Sequence, residues 1–141
     1  MPNWCSNYLK VLGQKHLIFE FQRAAEGTGT LISLDRFIPY PEQYKDDSGM
    51  EGYWWCVKNW GTKWDLFEVE IIAETSRSVT YLFDTAWSPP LAGVAAMSEK
   101  FPDLEFRIRF AEGGCDFSGY HCFKAGQCIK DRDGSYSDRH R

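Results

Sequence analysis

The 141-residue sequence contains no apolar run close to the roughly 20 residues that a membrane-spanning helix needs. Residues 1–5 lack the basic and apolar regions of a signal peptide. The five cysteines are an odd number and follow no regular spacing. From these absences we expect a cytoplasmic protein that does not associate with membranes and keeps its thiols free.

An excess of positive charge is also lacking, since 16 Lys and Arg stand against 20 Asp and Glu, for a formal net charge of -4. This balance argues against a protein that holds nucleic acid through many phosphate contacts. The sequence also lacks a phosphate-binding loop, a G-x-S-x-G motif and a paired-carboxylate motif. We therefore predict no catalytic residue and favour a non-enzymatic protein.

The sequence lacks the C-x₂-C spacing that makes a zinc site recognisable. A four-ligand set can be drawn from Cys115, His121, Cys122 and Cys128. Neighbours on a strand point to opposite faces, however, so His121 and Cys122 would not bind one ion together. We expect no metal and no cofactor. Cys5 as a nucleophile would need a base, and no histidine stands in a recognisable setting for one.

Aromatic residues are abundant, at 16% of the chain with six tryptophans.

Two periodic patterns of apolar residues are clear in the sequence. Leu17, Ile18 and Phe21 follow the period of a helix, and residues 104–110 alternate between apolar and polar like a half-buried strand. Extended along the chain, such patterns predict strands at about 7–12, 66–73, 79–86 and 104–111 and helices at about 15–26 and 89–100.

The order of these elements predicts an α+β fold, a ferredoxin-like βαββαβ sandwich in one domain of residues 1–141. Both helices should cover one face of an antiparallel sheet. Residues 30–65 form an insertion between the first helix and the second core strand, with strand character at 31–38 and a short helix at 53–60. Residues 117–129 predict one more hairpin, and residues 131–141 a frayed tail.

Four segments of the chain resemble the YubB ferredoxin-like domain family, small proteins found on plasmids and phages. They read MPNWCSN at residues 1–7, NWGTKWD at 59–65, TAWSPP at 85–90, and FPDL at 101–104 with Glu112-Gly113. NWGTKWD is specific, because chance recurrence of a seven-residue string with two tryptophans is remote. The resemblance implies a ferredoxin-like fold and a mobile-element origin, and it brings no activity with it.

The same segments carry the candidate binding residues. Tryptophans next to amides and one lysine suit a flat or anionic ligand or a peptide. We expect Trp4, Trp60, Trp64 and Trp87 to come together, with Asn3, Asn59 and Lys63 at the rim, Asp65 paired with Lys63, and Glu112 nearby. The alternative is a closed aromatic core that anchors the insertion, with Lys63 at the surface.

Three functional hypotheses follow. The first is a non-enzymatic binding protein of mobile-element origin that acts on a host-defence or plasmid-maintenance macromolecule, with a protein partner preferred to nucleic acid. The second is single-stranded nucleic-acid binding with aromatic side chains as stacking platforms. Its weakness is that basic residues such as Arg107 and Arg109 are interspersed with acids. The third is an enzyme that uses Lys63, Asp65 and Glu112.

Overall fold

A computed structural model describes residues 3–45 and 50–135. Six strands form one antiparallel sheet in the order β2-β3-β1-β4-β5-β6. The strands are β1 (Trp4–Leu12), β2 (Phe67–Thr75), β3 (Ser78–Ala86), β4 (Glu105–Glu112), β5 (Phe117–Lys124) and β6 (Gln127–Gly134). The described residues also form three α-helices, α1 (Lys15–Ala25), α2 (Glu51–Asn59) and α3 (Leu91–Lys100). Two short 3₁₀ turns, Leu34–Arg36 and Glu42–Tyr44, lie between α1 and α2.

One face of the sheet carries the core. Alternation along the strands places Leu9 of β1 opposite Tyr81 of β3 and Ile108 of β4, and all three are buried. Phe21 of α1 packs edge-on against Tyr81 and Phe106, with ring centroids 6.4 and 5.2 Å apart. Buried residues of α3, such as Val94, belong to the same apolar cluster. Both helices therefore cover the same face, as the sequence predicts.

The ferredoxin-like α+β fold is confirmed, but the sheet is larger than the predicted four strands. The hairpin predicted at 117–129 is present as β5 and β6 and adds two strands beside β4. The prediction of a frayed tail from residue 131 is wrong at its start, because residues 131–134 pair with β5. Residues 136–141 lie outside the described part of the chain.

The predicted strand at 31–38 is also wrong, since this stretch contains a 3₁₀ turn at Leu34–Arg36. Ile32 and Leu34 are both fully buried, which explains the apolar alternation. The Asp65 carboxylate accepts the backbone N–H groups of Leu34 and Asp35 at 2.7 and 3.4 Å, so these groups do not serve a neighbouring strand. The predicted short helix at 53–60 corresponds to α2. None of the helices in the described ranges combines the length and the apolar character needed to cross a membrane.

Candidate functional site

Two residues of the NWGTKWD string lie in the packing of α2. Trp60 is 4% exposed, and its ring lies 5.9 Å from Tyr40 and 5.3 Å from Trp55 between centroids. Its indole N–H donates to the Ile38 carbonyl at 2.9 Å, so the polar end of the buried ring is satisfied. The Asn59 amide donates to the Trp55 carbonyl at 2.9 Å. Trp60 therefore ties Ile38 to the end of α2, whereas the Asn59 bond stays within α2.

Gly61 and Thr62 join this string to the start of α3. Gly61 has a φ of +88°, and a Cβ there would approach the backbone nitrogen of Leu91 to 3.0 Å. Its carbonyl accepts the Ser88 hydroxyl at 2.6 Å, and the buried Thr62 hydroxyl donates to the Ala86 carbonyl at 2.9 Å. Two of the segments that carry the resemblance, NWGTKWD and TAWSPP, are thus bonded to each other. The two hydrogen bonds give these segments a structural role, which is to join the end of α2 to the start of α3.

Asp65 has a different role from the predicted pairing with Lys63. Its carboxylate accepts the Ser33 hydroxyl at 2.6 Å and the backbone N–H of Leu34 at 2.7 Å. It also accepts the N–H of Leu66 at 2.8 Å. One side chain therefore fixes two stretches of loop that are about 30 residues apart in the sequence.

Trp4 and Trp64 do come together. Their ring centroids are 6.0 Å apart, and Trp4 stacks on Phe67 at 5.1 Å. The Lys63 ammonium lies 5.1 Å from the centroid of Trp64 and 5.7 Å from that of Tyr53. We call these five residues the Trp4 patch. Trp64 and Phe67 are 38% and 47% exposed, so the patch has the surface character expected of a contact region.

The predicted convergence of all four tryptophans is wrong for Trp60, whose ring packs in a separate cluster. Trp60 belongs to the Tyr40–Trp55 cluster, and the exposed Trp87 is tied to the amino terminus through its backbone, whose N–H donates to the Asn3 carbonyl at 2.8 Å. The buried Trp60 ring packs in the core, and the half-exposed Trp64 ring is part of the Trp4 patch. The alternative of a closed core therefore applies to Trp60, and the surface-site hypothesis stays open for Trp4, Lys63 and Trp64.

Asn3 and Glu112 lie around the β4–β5 turn. Glu112 is 3% exposed, and its carboxylate accepts the backbone N–H groups of Gly114 at 2.6 Å and Cys115 at 2.7 Å. The Asn3 amide lies 3.8 Å from the Cys115 sulfur. Glu112 thus anchors a turn, which accounts for its burial without a ligand.

Sequence reasoning missed the face of the sheet opposite the helices, which we call the open face. Strand register brings its side chains into two adjacent rows. The tyrosine row runs across four strands and contains Tyr8, Arg109, Tyr120 and Arg132. The lysine row beside it contains Lys10, Arg107, Cys122 and Lys130. Lys10, Arg109, Lys130 and Arg132 are exposed, and Arg107, Tyr8 and Tyr120 are partly so.

Charges that alternate in the sequence are separated in space on β6. Lys130 and Arg132 pair with Cys122 and Tyr120 on the open face. Asp131 and Asp133 pair with His121 and Gly119 and therefore point to the helix side. The predicted interspersion of acids with bases thus does not hold on this part of the open face.

Within residues 3–45 and 50–135, the remaining acids on the open face are few and lie mainly at its other end. Glu105 is the carboxylate within the basic region, and it is paired with Arg107. Glu70 and Asp84 belong to β2 and β3. The pKa of Asp84 is raised, first by burial and then by repulsion from Glu68. The β4–β6 half of the face is consequently the positive half.

The signal for this face was partly present in the sequence. The alternation at 104–110 puts Arg107 and Arg109 on one face of a strand. Lys130 and Arg132 could be added only by recognising β6 as a strand. Tyr120 could be added only from the register between β4 and β5.

The cysteines divide by environment. Burial raises the pKa of Cys5 to about 12 and that of Cys56 to about 11, which opposes a nucleophilic role for either. Cys122 lies on the open face, as strand alternation requires, with its sulfur 3.0 Å from the Tyr120 hydroxyl. Cys115 and Cys128 are exposed, and all five cysteines are free thiols. His121 and Cys128 do approach each other, with 4.0 Å between Nδ1 and Sγ.

Comparison with known proteins gives a relative and a structure. The chain is 27% identical over 78 residues to the uncharacterized protein YubB of Escherichia coli (strain K12). The match covers 55% of this chain and 54% of YubB, so the matched region spans about half the length of that curated relative. The crystal structure of a protein Api92 from Yersinia pseudotuberculosis is similar with a TM-score of 0.69 and 12% sequence identity. That similarity covers 96% of this chain and 98% of Api92, and it speaks for the fold alone. Residues 59–141 match the family described as the ferredoxin-like domain in Api92-like protein, and the chain belongs to this family.

Proposed function

We propose that this protein binds single-stranded nucleic acid on its open face. The observation that carries the proposal is the pair of adjacent rows on the sheet face opposite the helices, which together present two tyrosines and five cationic side chains. Proteins that bind single strands combine a basic surface for the phosphates with aromatic rings on which bases stack. The fold by itself decides nothing, since ferredoxin-like domains host many functions.

The tyrosine row supports both parts of that chemistry. Tyr8 and Tyr120 flank Arg109, whose guanidinium lies 5.8 Å from the centroid of the Tyr120 ring. A guanidinium that lies over a ring can still contact a phosphate, and the ring of Tyr8 on the other side of Arg109 offers a face on which a base can stack. Arg132 continues the row on β6, and the lysine row runs parallel to it.

The Trp4 patch extends the same surface. Trp4 lies on the same side of β1 as Tyr8, since the two are four residues apart on a strand. That spacing corresponds to about 13 Å. Trp4 and Phe67 are already stacked on each other, so one more base can extend the stack. A strand that follows the tyrosine row toward β1 would reach this end of the face.

This proposal selects the second of the sequence-based hypotheses. The first, a protein partner, finds support in the exposed rings of Trp54 and Trp64, at 60% and 38% exposure. In the described part of the chain, the rows of the open face carry more cationic side chains than the one cation, Lys63, that lies over the Trp64 ring. The mobile-element origin and a host-defence or plasmid-maintenance target stay predictions of the resemblance.

Within the fold, we propose that β1, α1, β2, β3, α3 and β4 are the ferredoxin-like unit. The segment between α1 and β2 is then the insertion, and β5–β6 is an addition.

Fluorescence anisotropy with labelled oligothymidylate and oligouridylate tests the function. We expect binding that weakens with salt. The slope of log K against log salt should be about −2.8 if four of the five cations contact phosphates. Absence of binding to both probes at low salt would overturn the proposal. Saturable capture of a purified protein partner through Trp54 and Trp64, without any oligonucleotide binding, would favour the first hypothesis instead.

A matched pair of arginine variants locates the binding face. Arg109 lies 5.8 Å from the Tyr120 ring on the open face, and Arg23 lies 5.8 Å from the Phe19 ring on α1. Arg109→Gln and Arg23→Gln therefore remove the same charge and the same kind of ring contact from opposite sides. Only Arg109→Gln should weaken oligonucleotide binding, by about tenfold, and reduce the salt slope by about 0.7. Equal losses in both variants would mean non-specific attraction.

A further inference from the structure

The β5–β6 hairpin brings three different metal-ligating side chains together on the helix side of the sheet. One donor atom from each of His121, Cys128 and Asp131 lies within 4.8 Å of the others. His121 faces Asp131 directly across the two strands. Cys128 joins them next to a register shift between Cys122 and Phe123. The hairpin thus gathers a nitrogen, a sulfur and a carboxylate oxygen at one point.

The imidazole is held in the orientation that a ligand needs. His121 is 9% exposed and lies between the rings of Phe110 and Phe123, with centroids 5.6 and 6.2 Å away. Its Nε2 lies 2.8 Å from the Asp133 carboxylate. Donation of the Nε2 proton to Asp133 leaves the Nδ1 lone pair directed toward Cys128. A carboxylate on the far nitrogen is the usual support of a metal-binding histidine.

We propose that His121, Cys128 and Asp131 bind a zinc ion, with Asp133 as a positioning residue. A mixed sulfur, nitrogen and oxygen set suits this borderline-soft cation. Tetrahedral bond lengths put the sulfur and nitrogen about 3.6 Å apart, close to the 4.0 Å between Cys128 Sγ and His121 Nδ1. A thiolate and a carboxylate balance the charge of the ion. Three protein ligands leave the fourth position to water.

This site differs from the four-ligand set that the sequence suggested and runs against the expectation that no metal binds. Cys122 points to the open face and Cys115 belongs to the β4–β5 turn, so neither takes part. Asp131 takes part because β6 continues past the residue where a frayed tail was expected. The proposal is independent of the nucleic-acid proposal, since the ion and the basic rows lie on opposite faces.

Anaerobic titration of the reduced full-length protein with Co²⁺ tests the site. We expect a one-to-one complex with a sulfur-to-metal charge-transfer band and tetrahedral d–d bands, both of which Zn²⁺ abolishes. Cys128→Ser should remove the charge-transfer band, whereas Cys115→Ser, the other exposed thiol, should leave it unchanged. Asp133→Asn should retain the spectrum and weaken affinity about 10- to 100-fold.

A second readout guards against misfolding of the variants. Zn²⁺ should slow iodoacetamide alkylation of Cys128 in the wild-type protein at least about tenfold while Cys115 alkylation stays unchanged, as followed by peptide mass spectrometry. Loss of this protection in His121→Asn would support the site. A Co²⁺ spectrum that survives Cys128→Ser, or the absence of any one-to-one complex, would overturn it.

Discussion

At the scale of single residues, two carboxylates, those of the half-buried Asp65 and the buried Glu112, anchor loops. Asp65 accepts three hydrogen bonds within 2.8 Å, from Ser33, Leu34 and Leu66, and Glu112 holds the β4–β5 turn in the same way. Carboxylates bind N–H donors more strongly than neutral acceptors do. The acidic member of NWGTKWD therefore has a structural purpose that its sequence neighbours do not reveal.

We expect Asp65→Asn to lower the free energy of unfolding by about 1–3 kcal/mol, because an amide replaces one accepting oxygen with a donor that faces N–H groups. Urea denaturation followed by circular dichroism measures the change. Asp103→Asn is the control, since this exposed aspartate should change stability by less than about 0.5 kcal/mol. Equal stability of the two variants would contradict the anchoring role of Asp65.

The buried thiol of Cys5 predicts a dependence of stability on alkaline pH. Burial raises its pKa from 9.0 to about 12, so the folded state favours the neutral thiol. This contribution is fully present below about pH 9 and is lost as pH rises toward 12. Unfolding free energies of the wild type should therefore fall between pH 8.5 and pH 10, by at most about 1.4 kcal/mol per pH unit for this group.

Cys5→Ala should be less stable than the wild type at pH 7 but should lose less stability between pH 8.5 and pH 10. Val11→Ala is the matched control, because it shortens an equally buried side chain that has no titratable group. Its pH slope should equal that of the wild type. Identical slopes in all three proteins would contradict the assigned role of the thiol. Tyr81, whose pKa burial raises to about 12, contributes equally in each case.

At the scale of elements, Gly61 decides how the segment after α2 meets α3. Gly61→Ala would require a φ of +88° and would bring a Cβ to 3.0 and 3.2 Å from backbone nitrogens of Leu91 and Ala92. Gly29 offers a control, since its φ is +72° and a Cβ there meets nothing within 4 Å. Gly29→Ala should cost about 1 kcal/mol for the backbone conformation alone. Gly61→Ala should cost at least about 1 kcal/mol more in urea denaturation. If both variants lose the same free energy of unfolding, α3 moves away from the new Cβ at no energetic cost, and the proposed close contact is wrong.

The sequence identifies elements well where one side is buried and the other is not. The helical period of α1 and the alternation of β4 each report a face that packs on the core, and both elements were predicted within about two residues. β6 gives no such signal, because all eight of its residues are exposed on the edge of the sheet. Its charged residues therefore predict a tail instead of a strand. An edge strand follows from pairing with β5, which local composition does not encode.

The candidate site was predictable only in part, for a related reason. NWGTKWD contains one buried tryptophan, Trp60, and one half-exposed tryptophan, Trp64, and the string does not distinguish them. The cations of the open face are interleaved with acids along β6 and cancel in any sequence average. Strand geometry separates them, since successive side chains point to opposite faces. Register, rather than composition, makes the basic rows.

At the scale of the whole molecule, a formal charge of -4 coexists with a positive half of one sheet face. A net negative protein slows the approach of a polyanion from most directions, while a local basic region still attracts it at short range. Association should therefore be sensitive to salt and limited to one orientation. Because the cations are gathered on one face, a chain with a net negative charge can still offer a basic surface to a nucleic acid.

Stability should also be unevenly distributed across the sheet. β1, β3, β4 and β5 each pair with strands on both sides, whereas β2 and β6 are edges. β2 contains two register shifts against β3, and most of its side chains are exposed. Amides in such a strand open without breaking the core. Hydrogen exchange followed by mass spectrometry should therefore show fast exchange in β2 and β6 and the slowest exchange in β1.

Zinc gives this experiment a built-in comparison between the two edges. If the ion joins His121 of β5 to Cys128 and Asp131 of β6, it should slow exchange in peptides of the β5–β6 hairpin, because binding to the native state alone stabilises that state. Exchange in β2, the opposite edge, should not change. Cys128→Ser should abolish the difference while leaving the metal-free pattern intact. Slowing of both edges to the same extent would mean that zinc acts on the fold as a whole and would contradict a hairpin site.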